Sequence, residues 1–147
     1  MRLRDAAASL NAASDEFSKT IAPIDAALKK LNLGVTAWHS YLERSPDENG
    51  DYWSRDIGYA RVQGKWGLAL RTVSGNANYG DDDTQEWLFN DAPRFMRAEA
   101  IDNIPALLEV LIRQAEKVAG DLRQKSGHAR MLASAISIFA DGQDARK

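Results

Sequence analysis

An apolar seam with a seven-residue period dominates the start of the chain. Leu3, Ala7, Leu10, Ser14, Phe17, Ile21, Ile24, Leu28 and Leu31 follow one another at alternating steps of four and three, which predicts an amphipathic helix over residues 2–31. Ser14 is the one polar residue on the seam. A stripe of this kind has to be buried, either on the chain's own sheet or on a copy of itself, so residues 1–33 are expected to serve as a helical oligomerisation segment. Pro23 removes a backbone hydrogen bond and bends a helix, which leaves two shorter helices or one kinked at that point. Asn32 and Gly34 carry the stop signal.

Periodicity then changes from helix to strand. Val35 to Leu42 alternates and is rich in β-branched and aromatic residues, while Ser45 to Asp51 has the composition of a surface loop. Asp56 to Val73 predicts a hairpin turning at Gln63-Gly64. A two-residue turn sets Arg61 opposite Trp66, Tyr59 opposite Leu68 and Ile57 opposite Leu70, giving one apolar face. The other face carries Gly58, Ala60, Gly67 and Ala69 at its centre and is nearly bare of bulk. Either the N-terminal helix packs there or a flat ligand does, and the habit of sheets to bury one face under helices favours the helix. Ser74 to Asp83 is expected to be a loop and Glu86 to Phe89 a fourth short strand.

The remainder, residues 91–140, is expected to be helical. Asn90 or Asp91 caps a short helix with Pro93 in its first turn, running to about Ile101. A second helix starts at Pro105, is expected to bury Leu107, Leu108, Leu111, Ile112, Ala115 and Val118, and ends at Ser126-Gly127; a weaker last one covers His128 to Ala140, with a frayed tail to Lys147. The expected fold is therefore α+β, one domain over 1–147: a heptad helix, an antiparallel sheet of three to four strands within 35–89, and a helical C-terminal half.

Composition excludes several classes of function. The 147 residues carry a net charge of −2, without the basic surplus of a protein that works on DNA or RNA phosphates. With no cysteine there is no disulfide, thiolate nucleophile or Cys-type zinc site. No apolar run follows the basic Met1 to Arg4 and none is long enough to span a bilayer, so a cytoplasmic protein with no membrane partner is expected. His39 and His128 are far apart, and Asp81-Asp82-Asp83 lacks the alternating oxygens of a calcium loop, so no metal and no cofactor is expected. Neither a nucleophile elbow nor a phosphate-binding glycine loop occurs, and the chain is expected not to be an enzyme.

The remaining signal is one of binding. Arg61, Arg71, Arg94 and Arg97 are interleaved with Trp66, Trp87 and Phe89, and Asn90 stands at the join between sheet and helix. Guanidinium forks hold phosphates bidentately, aromatic rings stack on bases and an amide reads an edge. The alternative for each residue is that the aromatics are core and the arginines surface. The helix start near Asp91 offers free N–H groups, although the Asp91 carboxylate competes for them and repels an anion.

Four short strands followed by two helices, with the join Trp87-Leu88-Phe89-Asn90-Asp91-Ala92-Pro93-Arg94, resemble the phage anti-Thoeris proteins that sequester cyclic ADP-ribose isomers. The resemblance covers about residues 35–126 and lies in the architecture. It implies a multimeric protein that binds a cyclic nucleotide signal without cleaving it, with Phe89, Asn90 and Arg94 as the residues of suitable type. The expected function is thus a self-associating, non-enzymatic protein that sequesters a small anionic or nucleotide-like molecule. The alternative is a protein–protein adaptor or inhibitor working through its N-terminal heptad helix.

Overall fold

The Gln63-Gly64 dipeptide sets the register of the whole sheet. Both residues have positive φ, 51° and 81°, the backbone of a two-residue turn whose twist matches that of the strands it joins. In the computed structural model, which describes residues 2–80 and 82–145, the turn links β2 (Asp51–Val62) to β3 (Lys65–Asn76). Arg61 pairs with Trp66, Tyr59 with Leu68 and Ile57 with Leu70, as the turn length requires. β1 (Ala37–Arg44) and β4 (Asp82–Leu88) flank this hairpin in an antiparallel sheet of order β1-β2-β3-β4. The hairpin is longer than its apolar segment predicts, because five further pairs from Asp51↔Asn76 to Arg55↔Thr72 extend the ladder, and Ser74 to Asn76 are strand where a loop is expected. Asp81 and the tail Arg146–Lys147 lie outside the described residues.

α1 (Arg2–Leu31) is continuous through Pro23. Pro23 and Lys19, whose carbonyl loses its donor, both lie on the exposed side, where water can take that carbonyl. The second half of the seam meets the sheet: Ile21 and Leu28 are buried against Ile57, Tyr59, Leu68 and Leu70, with Phe17 and Ile24 packed beside them. Leu3 and Leu10, in the first half, are 84% and 55% exposed. The small-residue face of the sheet is filled in a way the sequence does not suggest. Trp38 of β1 lies across Gly58, so a Cβ there would come within 2.6 Å of both the indole Cδ2 and the Ala37 carbonyl oxygen.

After β4 the chain makes a 3-10 turn (Phe89–Asp91), α2 (Arg94–Ala100), a second 3-10 turn (Ile101–Asn103) and α3 (Ile104–Ala145). Two expectations fail here. The short helix does not start at Asn90 or Asp91: Ala92 precedes a proline and is extended, with φ −75° and ψ 159°, so Pro93 becomes the cap and its carbonyl accepts from Met96 N and Arg97 N. Nor does α3 end at Ser126-Gly127. One helix of 42 residues, about 63 Å at 1.5 Å per residue, passes through Gly120 and Gly127. A lone glycine costs a helix only about 1 kcal/mol, too little to break a sequence that is otherwise helical. Contacts divide the chain into two compact units, Met1–Leu111 and Ile112–Lys147; the first turns of α3 belong to the former.

Candidate anion-binding site at the α1–α2 junction

α2 presents Arg94 and Arg97 three residues apart, hence on one face, while Met96 and Ala100 are buried in the core. α1 meets the arginines with a polar row, Asn11, Ser14 and Ser18. Arg97 donates from Nη1 to Ser18 Oγ at 2.8 Å and from Nη2 to Ser14 Oγ at 3.3 Å. Arg94 Nη2 donates to Asn11 Oδ1 at 2.9 Å, and Asn90 Nδ2 to the Ser18 carbonyl at 3.3 Å. Ser14, the polar exception on the apolar seam, is thereby accounted for as a partner of Arg97.

The electrostatics of this cluster are unbalanced. Arg97 is only 7% exposed, its Nε is buried without an acceptor, and among the described residues no carboxylate lies within ion-pair distance of it. A guanidinium taken out of water costs free energy that hydroxyl oxygens only partly return. The arrangement therefore favours an incoming anion, for which exposed Arg94 and Asn90 offer further N–H donors.

The expected binding residues are only partly brought together. Phe89, Asn90, Arg94 and Arg97 converge on α1, but Phe89 is 2% exposed and packs tilted against Phe17 with centroids 6.2 Å apart, leaving no ring face for a base. Trp87 is half-buried against the core. Arg61 is exposed beside the β2–β3 turn. Trp66 stacks on Tyr59 at 5.7 Å. Arg71 sits 4.3 Å over Trp38 and ion-pairs with fully buried Asp56, which also accepts from Ser40 Oγ at 2.6 Å. Arg61, Trp66 and Arg71 share no partner with the junction. The polar row of α1 was missed in the sequence because Asn11 and Ser18 look like solvent-facing residues, and Ser14 like an isolated exception on the seam, until α2 is placed beside them.

Two further features frame the site. At the far end of the sheet an open groove of about 640 Å³ is lined by Asp51, Tyr52, Trp53, Tyr79, Asp82 and Asp83 among others, an acidic surface unlike one for an anion. On the β1 side, Arg55 holds Glu99 through Nη1, 2.8 Å from Oε1 and 3.0 Å from Oε2. Tyr41 lies near this pair with its hydroxyl buried and unpartnered; burial, reinforced by the charges of Glu99 and Asp56 against that of Arg55, pushes its pKa up to about 12. Burial, with Asp25 nearby, also raises that of Tyr59. Among the described residues no group of three or more potential metal ligands comes together, and no helix is long and apolar enough to cross a membrane. No protein-family model matches the chain, and neither a curated protein nor a solved structure does.

Proposed function

We propose that the protein is a non-enzymatic, self-associating binding protein that sequesters a small anionic, nucleotide-like molecule at the α1–α2 junction. The observation that carries this reading is Arg97: a buried guanidinium with neutral partners, a free Nε and a second arginine beside it. Phosphate groups supply the missing charge. The resemblance to anti-Thoeris proteins supplies the first ligands to try, cyclic nucleotides and cyclic ADP-ribose isomers. Calorimetry of the wild type against that panel is expected to find one member binding below about 100 μM, a binding free energy of about −5.5 kcal/mol. Arg94→Ala is expected to weaken it by about ten- to hundredfold, the usual worth of a hydrogen bond to a charged group. Arg61→Ala, distant from the cluster in its contacts, should leave affinity unchanged. Absence of binding by every member sinks the reading.

The adaptor reading keeps one observation in its favour, the exposure of Leu3 and Leu10 on the first half of α1. It requires a fragment of residues 1–33 to retain partner binding by itself, whereas the ligand reading requires the α2 arginines.

A further inference from the structure

The second unit of the chain is a bare helix whose sequence has the form of half a coiled coil. From Ile112 onward α3 repeats the seven-residue seam: Ala115, Leu122, Ala129 and Ile136 stand at the a positions, and Val118, Lys125, Leu132 and Phe139 at the d positions. Seven of these eight residues are apolar. Leu122, Leu132, Ile136 and Phe139 are 62%, 64%, 67% and 70% exposed. Five of the seven charged residues, Arg113, Glu116, Lys117, Arg123 and Arg130, fall at b, c or f, on the opposite side of the helix; Asp121 stands at g and Lys125 at d. Residues 112–135 span more than three heptads, enough for a seam of this period to specify a helical partner rather than a globular one.

We infer that residues 112–135 pair with the same segment of a second copy, antiparallel, as a two-stranded coiled coil, with Ile136 and Phe139 beyond the paired stretch. This deepens the self-association in the proposed function and does not depend on its ligand. Two complementarities select the partner and the direction. The first is of size. An antiparallel register sets Ala115 against the partner's Leu132, Val118 against the partner's Ala129, and Leu122 against the partner's Lys125, so small meets large in the outer layers. A parallel pair sets each alanine against its own copy and leaves gaps. The second is of charge. Antiparallel packing lays the Lys125 stem along the partner's Leu122, next to the partner's Asp121, which is the only acidic residue at an e or g position. Parallel packing presses Lys125 against the partner's Lys125. The contact is its own mirror through a two-fold axis, so it closes at two copies.

Sedimentation and light scattering of the full chain at tens of micromolar are expected to give twice the monomer mass. Leu122→Glu with Leu132→Glu should return it to the monomer. Both residues lie in the second unit and are exposed, so the tryptophan fluorescence of the first unit should not change. Because the chain lacks cysteine, direction is read by oxidation: Val118→Cys mixed with Ala129→Cys should cross-link, and Val118→Cys alone should not. A wild-type monomer overturns both this inference and the self-association it deepens. An oligomer that survives the double Glu variant overturns this surface and leaves self-association standing. Cross-linking of Val118→Cys with itself overturns the antiparallel direction.

Discussion

Tyr41 and Gly58 show how single atoms decide the interior of the sheet. The buried Tyr41 hydroxyl has no partner, so it carries a desolvation penalty with no hydrogen bond to offset it. Tyr41→Phe is expected to leave stability unchanged or raise it by up to about 1 kcal/mol in urea unfolding; a loss beyond that would mean the hydroxyl is bonded. The same burial has a pH consequence. Its pKa of about 12 lies above the ordinary tyrosine value of 10.0, so the folded state holds the phenol proton more tightly than the unfolded one. The stability this gives is fully present below pH 10 and is lost as pH rises toward 12. Wild type should therefore show a larger late tyrosinate absorbance step than Tyr41→Phe, in which Tyr59 alone of the two still titrates late. Gly58 is fixed by space rather than by backbone angle. Gly58→Ala drives a methyl into Trp38 and the Ala37 carbonyl and should cost about 1–3 kcal/mol, the range of overpacked cores. A neutral Gly58→Ala in thermal unfolding would show that the indole moves freely.

At the scale of elements, α1 and α3 use the same sequence period for different ends. The second half of the α1 seam closes on its own sheet, and Asp25 fastens it: its carboxylate accepts the Leu68 N–H at 2.9 Å, just past the Ala69↔Leu88 pair where the β3–β4 ladder stops. Asp25→Ala leaves that donor unmet and should cost about 1–3 kcal/mol, read as faster hydrogen exchange at Leu68. In α3, Gly120 and Gly127 meet nothing within 4 Å at the place of a Cβ. Alanine at either should stabilise the helix by about 1 kcal/mol; a helical content unchanged in circular dichroism melts would contradict a continuous helix there. The α+β class, the hairpin register and the core face were legible because period-2 alternation and a two-residue turn are local signals. The fate of the two seams was not. A heptad says that a surface must be covered, and only the position of the sheet shows that Phe17 to Leu28 are covered by it. The start of α2 was misplaced for a local reason, the extended conformation that Pro93 imposes on Ala92. Of the site, Asn90, Arg94 and Arg97 were legible as a group, whereas Phe89 was given to a ligand although the core takes it.

For the whole molecule, the test of purpose is whether Arg97 is kept for stability or for binding. Replacing a buried charge by a hydrophobic side chain of similar volume is often neutral or stabilising. Arg97→Met should therefore unfold at a temperature close to that of the wild type, while the upward shift of melting temperature produced by a bound anion, tested first with inorganic phosphate, disappears. A large loss of stability in Arg97→Met without ligand would make the residue structural and remove the main support for anion binding. The two outer strands bear on how copies of the molecule meet. A sheet of four strands has two open edges, each a row of unpaired N–H and C=O groups on which another chain can add a strand. β1 is interrupted by a bulge between Ser40 and Leu42, and β4 exposes Asp82, Asp83 and Glu86 in succession. Both devices discourage amyloid-like growth: the bulge breaks the template, and like charges repel when β4 is laid against β4. The fold thus discourages fibre growth at its sheet, which agrees with the contact between copies proposed for α3. Neutralising the acids of β4 should increase turbidity and thioflavin binding on prolonged incubation, without first destabilising the native state.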